Sequence, residues 1–342
     1  MSVVYQIPDE THAVYCGGRS GISIQPDLSN RHDLHTIHLN GNKLEEVRAE
    51  LFPPSLFHLN LSSNDILDGL PATWPDTIQT LNLDYNYIPH TKFIEHWPSS
   101  LRELSMDGNA NRSCPTNLPT SLEMLSMAGC KLQSIDTLPY TLKKLRANYN
   151  YIKTIKLLPR HLLYLQLSQN AIRSSILFKY RLPPMIRVLH LDYNELTWLP
   201  STFPDSLETL NVSNNTITEF RAKLPASLKL LQLNDNKLTV FQPTFSVPQQ
   251  SFVLYIQNNC ITENLDYLLE KRYVSTLFRG KNWNTALHTA SARMIQFAFA
   301  KYKLKRGIRT WARMNTIQKE LFMVAMHPDR LGQFEPLPNW SN

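Results

Sequence analysis

Cysteine and histidine are the side chains best suited to act as nucleophile, proton carrier or metal ligand, and their spacing here serves none of those roles. Cys16, Cys114, Cys130 and Cys260 stand far apart, without a C-x-x-C or C-x-H pair. That excludes an ordinary zinc site and a disulfide framework, and it fits a reducing, intracellular setting. His38, His58 and His190 fall on outward positions of separate segments, which leaves them as solvated side chains, not a ligand set. H-E-x-x-H and G-x-S-x-G are absent. Cys16-Gly17-Gly18-Arg19-Ser20-Gly21 lacks the strand–GxxxxGK[ST]–helix context of a phosphate loop. Sequons at Asn60, Asn111, Asn211 and Asn214 are expected products of an asparagine-rich pattern. The chain is therefore expected to be no enzyme and to need no cofactor or metal. Recognition is the chemistry that remains. Its candidate protein-binding residues are Asp84, Tyr85, Glu103, Asp107, Lys144, Arg146, Tyr149, Tyr164, His190, Asp192, Tyr193 and Tyr255, because tyrosine combines large contact area with a polar tip.

These residues are positioned by a repeat. Eleven copies of L-x-x-L-x-L-x-x-N-x-L run between Leu34 and Ile261, with Asn42, Asn64, Asn86, Asn109, Cys130, Asn150, Asn170, Asn194, Asn215, Asn236 and Asn259 at the N position. The spacing of 20–24 residues is one supersecondary turn, too small to bury its apolar face alone. In each copy a pair such as Leu59 and Leu61 alternates with polar residues, as a half-buried strand should. Eleven parallel strands at ~4.8 Å spacing make a concave face roughly 50 Å long. The asparagine is expected to bond backbone groups of its own turn and of the next unit, with Cys130 a buried structural substitute. The pattern is identified as a leucine-rich repeat solenoid.

Ten prolines, Pro53, Pro75, Pro98, Pro119, Pro139, Pro159, Pro183, Pro204, Pro225 and Pro248, precede the first apolar position of a copy. Proline fixes φ and biases its predecessor toward extended geometry, so the convex side is expected to be extended or polyproline-like, without α-helices. Residues 34–261 closely resemble the short L-P-x-x-L repeats of bacterial type III effector proteins. The resemblance implies a horseshoe or twisted solenoid that acts by binding other proteins. Some such effectors carry a ubiquitin-ligase domain with a catalytic cysteine; here the last cysteine is Cys260, inside the repeats.

Charge separates the chain into regions. Of 35 Lys/Arg and 28 Asp/Glu overall, residues 262–342 hold thirteen and six, leaving 22 of each in residues 1–261. The neutral solenoid argues against a phosphate-binding concave face. We expect a cap over residues 1–33, the solenoid over 34–261, and a basic helical module over 262–342. Within the last lie Arg293, Lys301, Lys303, Lys305, Arg306, Arg309 and Arg313. Three readings compete for this segment: a helical cap with a solvated face, docking to an acidic protein surface or another subunit, and binding of nucleic acid or an anionic membrane. Ile295-Gln296 followed by Lys305 partly resembles an IQ motif, but Ala300 and Lys301 replace the expected Arg-Gly. His327-Pro328-Asp329 matches the tripeptide of J-domain co-chaperones, yet too few residues follow for the helix such a domain needs. Residues 290–335 are similar to C-terminal tails on proteins of giant nucleocytoplasmic DNA viruses, which implies a viral protein of the virion or the host cytoplasm. The N-terminus lacks the basic and apolar regions of a signal peptide, and no apolar run is long enough for a transmembrane helix. The expected role is a protein-interaction scaffold, either a minor capsid or linking component of a virus particle or a host-directed adaptor.

Overall fold

The computed structural model describes residues 12–18, 21–67, 70–89, 96–115, 117–136, 138–245 and 252–261. They form a solenoid of about eleven turns with almost no helix. In chain order its strands are β1 (Ala13–Tyr15), β2 (Thr36–His38), β3 (His58–Asn60), β4 (Thr80–Asn82), β5 (Glu103–Ser105), β6 (Met124–Ser126), β7 (Ser134–Ile135), β8 (Lys144–Arg146) and β9 (Thr154–Ile155). There follow β10 (Tyr164–Gln166), β11 (Val188–His190), β12 (Thr209–Asn211), β13 (Glu219–Phe220), β14 (Lys223–Leu224), β15 (Leu230–Gln232), β16 (Val240–Phe241), β17 (Thr244–Phe245) and β18 (Val253–Tyr255). Twelve of them make one sheet in the order β1-β2-β3-β4-β5-β6-β8-β10-β11-β12-β15-β18. Every neighbour pair is parallel. Register is fixed by burial: Leu81, Leu104, Leu125, Leu145, Leu165 and Leu189 sit opposite one another across successive strands, and each is buried. A slip of one residue would turn that whole column to solvent.

The sheet has one strand more than the eleven repeats supply. β1, from the segment ahead of the first copy, pairs with β2 in the same parallel register, and Val14 joins the core. The strand is short of a full repeat, but it covers the edge that β2 would otherwise expose.

The prolines act at the turn into each strand. From Pro53 to Pro225, nine proline carbonyls accept a hydrogen bond from the amide three residues on, as in Leu56 N to Pro53 O at 3.2 Å and Leu142 N to Pro139 O at 3.1 Å. Proline pre-sets φ for such a turn and has no N–H to leave unpaired. The convex side departs from the expectation of no helix. One 3-10 turn, Ala49–Leu51, and one α-helical turn, α1 (Ser174–Leu177), occur there. α1 lies in the 24-residue interval between Asn170 and Asn194, the longest of the series, where extra chain must be folded back. Ser174 Oγ secures it, donating to Trp198 O at 2.7 Å and accepting from Thr197 N at 3.0 Å. Elsewhere the convex side is extended and forms two-residue parallel pairs, β7 with β9, β13 with β16 and β14 with β17. Phe220 and Phe241 stack across one of these pairs at 5.3 Å between ring centroids.

Residues 262–342 lie outside the described residues. So do the helices expected there, the IQ-like and His327-Pro328-Asp329 segments, and Arg293, Lys301, Lys303, Lys305, Arg306, Arg309 and Arg313.

Candidate protein-interaction surface

Each strand ends in a turn that the ladder asparagine closes. Asn64 Nδ2 donates to Leu61 O of its own coil at 3.0 Å and to Leu39 O of the coil before at 2.9 Å, while Oδ1 accepts from Leu44 N at 3.1 Å. The same contacts recur at Asn42, Asn86, Asn109, Asn150, Asn170, Asn194, Asn215, Asn236 and Asn259. The bonds reach back to the preceding unit, not forward to the next as the repeat alone led us to expect. Cys130 occupies the position with a thiol that donates to Met106 O at 3.0 Å. Burial pushes that thiol up to about 12, so it is no nucleophile. Asn150 Oδ1 of the following coil accepts from the amides of both Cys130 and Leu132, each at 2.9 Å.

The residue before the ladder position adopts positive φ throughout. Glycine, serine, asparagine, aspartate or glutamine fills it in eight coils, and tyrosine in three: Tyr85 at 52°, Tyr149 at 57° and Tyr193 at 54°. A left-handed backbone costs an L-residue about 1–2 kcal/mol, and a bulky side chain is uncommon there. These tyrosines are 66%, 62% and 52% exposed, so core packing does not account for them. Tyr85 lies along Gly108 of the next coil, where a Cβ would come within 2.6 Å of its ring.

The expected acids prove to be engaged in the scaffold. Asp84 Oδ1 accepts from Ser105 Oγ at 2.6 Å and from Asp107 N at 2.7 Å. Asp107 Oδ1 repeats this one coil later, with Ser126 Oγ and Ala128 N. Asp192 Oδ1 accepts from Ser168 Oγ at 2.6 Å and Asn211 Nδ2 at 2.9 Å. Burial raises the Asp84 carboxyl above the usual range, against the pull of these hydrogen bonds. Burial likewise lowers His190 and His38. His38 and His58 are not isolated, as their sequence separation implied. They lie on adjacent strands and line one shallow concavity of about 220 Å³ with Glu103, Ser105 and Met124, while His190 stands far along the sheet on β11. No metal-competent cluster of His, Cys, Asp and Glu occurs among the described residues.

Lys144, Arg146 and Tyr164 do come together. Lys144 and Tyr164 are register partners on β8 and β10, with the ammonium 5.4 Å from the ring centroid. From Tyr164 the outward row continues through Val188, Thr209, Leu230 and Val253 in unbroken register. This row was missed by attending to polar residues, although the two-residue period of the strand places each of its members outward. Beside it run His190, Asn211, Gln232 and Tyr255. Glu103 belongs instead to the polar end of the face, between Thr80 and Met124.

A second missed feature lies where the strands begin. Glu123 holds Arg102 Nη1 at 3.2 Å and Lys143 Nζ at 2.8 Å, and Glu208 holds Arg187 Nη1 at 3.9 Å and Lys229 Nζ at 2.5 Å. The lysine hydrogen bonds keep both carboxyls below the usual range. Alternation of charge from copy to copy at the first x of L-x-x-L was the signal available.

No family model matches the chain. Mouse oligodendrocyte-myelin glycoprotein is 28% identical over 152 residues, 38% of this chain and 34% of that protein; the chain spans about a third or less of the curated relatives it matches. Among solved structures, YopM of Yersinia enterocolitica is 26% identical with a TM-score of 0.50, covering 67% of this chain and 51% of that one. A leucine-rich repeat protein of Leptospira interrogans gives 24% and 0.60, over 80% and 73%. The leucine-rich repeats of FLRT2, solved in an octameric complex with Latrophilin 3 and Unc5D, give 20% and 0.55, over 82% and 86%. No helix among the described residues is long and apolar enough to cross a membrane. Repeat, ladder and fold together give the chain a leucine-rich repeat solenoid, with YopM among its structural neighbours.

Proposed function

We propose that this chain is a non-enzymatic scaffold that binds a protein partner on the C-terminal half of its concave face. The observation that carries this reading is the in-register row Tyr164, Val188, Thr209, Leu230 and Val253. It presents half-exposed apolar groups at ~4.8 Å intervals. Lys144 and Arg146 border it at one end, and His190, Asn211, Gln232 and Tyr255 run along its side. An apolar strip with a polar border is the usual anatomy of a protein interface. Asp192, Tyr193, Tyr149 and Tyr85 extend that border where the strands end, and Asp84, Glu103 and Asp107 make an acidic region toward the N-terminal coils. FLRT2, a fold neighbour, is itself found in a protein complex, which supports the class of function and not the partner.

The test is affinity capture with the full chain against a Leu230→Asp/Val253→Asp variant that retains its far-ultraviolet circular dichroism. Proteins held by the first and released by the second are the expected result. An identical set from both would sink the concave-face reading. The narrower role, a linking component of a large DNA virus particle, rests on the resemblance of residues 290–335; its absence from the proteome of purified particles would remove it and leave the host-directed adaptor. Docking of the basic tail to an acidic surface, or to nucleic acid, is tested by deleting residues 290–313 and following the salt dependence of binding.

A further inference from the structure

Beyond the concave face, the positions flanking the ladder on the convex side carry a second and chemically different surface. One and three residues after the ladder position, coils three to six present Tyr87 and Pro89, Ala110 and Arg112, Lys131 and Gln133, and Tyr151 and Lys153. Tyr87, Arg112, Lys131, Tyr151 and Lys153 are all exposed. Among the described residues none of the three cations has an ion-pair partner, whereas Asp136, Glu195 and Glu219 are paired with Lys156, Arg173 and Arg221. Among the described residues neither tyrosine is stacked on another ring or a cation. No acid occurs among these eight positions, yet acids close the strip at both ends: Asp65 in the coil before and Glu195, paired with Arg173 at 3.0 Å, beyond. Asp84 and Asp107 lie on the concave side of the same turns with their Oδ1 atoms held by the next coil. The tyrosines at the left-handed positions, Tyr85 and Tyr149, stand between those acids and the cations.

We infer that Tyr87, Arg112, Lys131, Tyr151 and Lys153 form a docking track for an acidic, extended peptide segment of a partner protein. Charge selects the occupant: three unpaired cations with no acid among them attract carboxylates, and the chain's own basic segment, with thirteen Lys/Arg against six Asp/Glu over 262–342, carries the wrong sign. Length agrees. Four coils at ~4.8 Å span about 14 Å, which four or five extended residues at about 3.3 Å each would cover. The tyrosine rings at the two ends give such a peptide apolar anchors, and the cations between them give it direction and a salt-dependent on-rate.

Fluorescence anisotropy tests the track with full-length protein and a labelled eight-residue peptide of alternating glutamate and leucine. Binding is expected to weaken at least tenfold in Tyr87→Ser/Tyr151→Ser and in Lys131→Glu/Lys153→Glu, and to be unaffected by Leu230→Asp/Val253→Asp on the concave face. A peptide with lysine for glutamate should bind at least tenfold more weakly. The substituted track side chains are exposed and Leu230 and Val253 are half-buried, so an unchanged melting curve is required of every variant as the folding control. No binding at a few hundred micromolar protein, or binding by both track variants as tight as by the parent protein, overturns the inference; the latter result would place the acidic peptide on the basic tail. Loss of binding in the concave-face variant instead would move the peptide to the surface proposed above.

Discussion

The rim where the strands begin and the rim where they end come from the same repeat but treat their polar groups differently. At the first, carboxylates are bridged across coils: Arg102–Glu123–Lys143 and Arg187–Glu208–Lys229 each set one carboxylate between two cations, so each trio keeps a net charge of +1. Exposed pairs of this kind add little stability, but they commit each carboxylate to the cations of neighbouring coils. At the second rim backbone bonding is complete and buried, through the asparagine ladder, while tyrosines and cations are left outward and uncommitted. On the proposed function, the rim with the most visible electrostatics is the one expected to contribute least to recognition. The lesson is that a salt bridge marks a surface already satisfied, and an exposed aromatic on a strained backbone marks one that is not.

The largest effect expected from breaking this contrast is at Asn150. Replacing it by alanine leaves the buried amides of Cys130 and Leu132 and the carbonyl of Met127 without a partner, while Ala147 O keeps its bond from Asn170 Nδ2. At about 1–3 kcal/mol for each unmet buried group, relieved in part by relaxation, urea unfolding should show a loss of about 3–5 kcal/mol. Pro139→Ala at the other rim relaxes only the unfolded chain and should cost no more than about 1 kcal/mol. Equal losses from the two would erase the distinction. Next in size is Gly108→Ala, which combines a φ of +69° with a Cβ 2.6 Å from the Tyr85 ring. A loss of about 1–2 kcal/mol with altered tyrosine fluorescence is expected.

Smaller still is Glu123→Gln, which removes two exposed ion pairs and should cost less than about 1 kcal/mol, shrinking further in high salt. Its pH dependence sharpens the comparison. The folded Glu123 carboxyl is held below its ordinary value of 4.5 by the Lys143 hydrogen bond, so its contribution is present above the unfolded value and lost as pH falls through the folded one. Asp84 has the opposite sign. Its carboxyl is raised above 3.8 by burial, so it favours the fold when protonated, and that favour is lost as pH rises through the folded value. Melting curves between pH 3 and 6 should therefore steepen for Asp84→Asn and flatten for Glu123→Gln relative to the parent chain. The smallest effect is at Tyr149. Tyr149→Gly relieves the left-handed backbone at the expense of a freer unfolded chain, and the melting temperature should hold or rise slightly. A clear fall would mean that the ring packs, not that it waits.

Much of this was legible in the repeat. Leu59 and Leu61 at a two-residue period, followed by Asn64, specify strand, core and turn together, because each choice is local and all of them agree. The proline turns were visible as position but not as bond, since a sequence does not say which carbonyl meets which amide. Direction was misread at the ladder for the same reason: Asn64 can reach either neighbour, and only the stacked coils show that it reaches back. α1 was hidden because nothing in Ser174-Ser175-Ile176-Leu177 outweighs the repeat locally; a surplus of chain between Asn170 and Asn194 makes it. At the candidate surface the polar residues drew attention, yet Asp84, Asp107 and Asp192 are held by neighbouring coils while Val188, Leu230 and Val253 lie open. Outward apolar residues are silent in composition and become meaningful only when register aligns them.

The backward reach of the ladder gives construction an order. Except for the coil that Cys130 follows, each finished coil holds one amide, such as Leu44 N or Leu132 N, that the asparagine of the following coil satisfies. With synthesis at about 5–20 residues per second, that wait lasts about one to four seconds per turn. The solenoid can thus lengthen in step with translation, each new turn locking the one before and leaving a single open seam at its growing end.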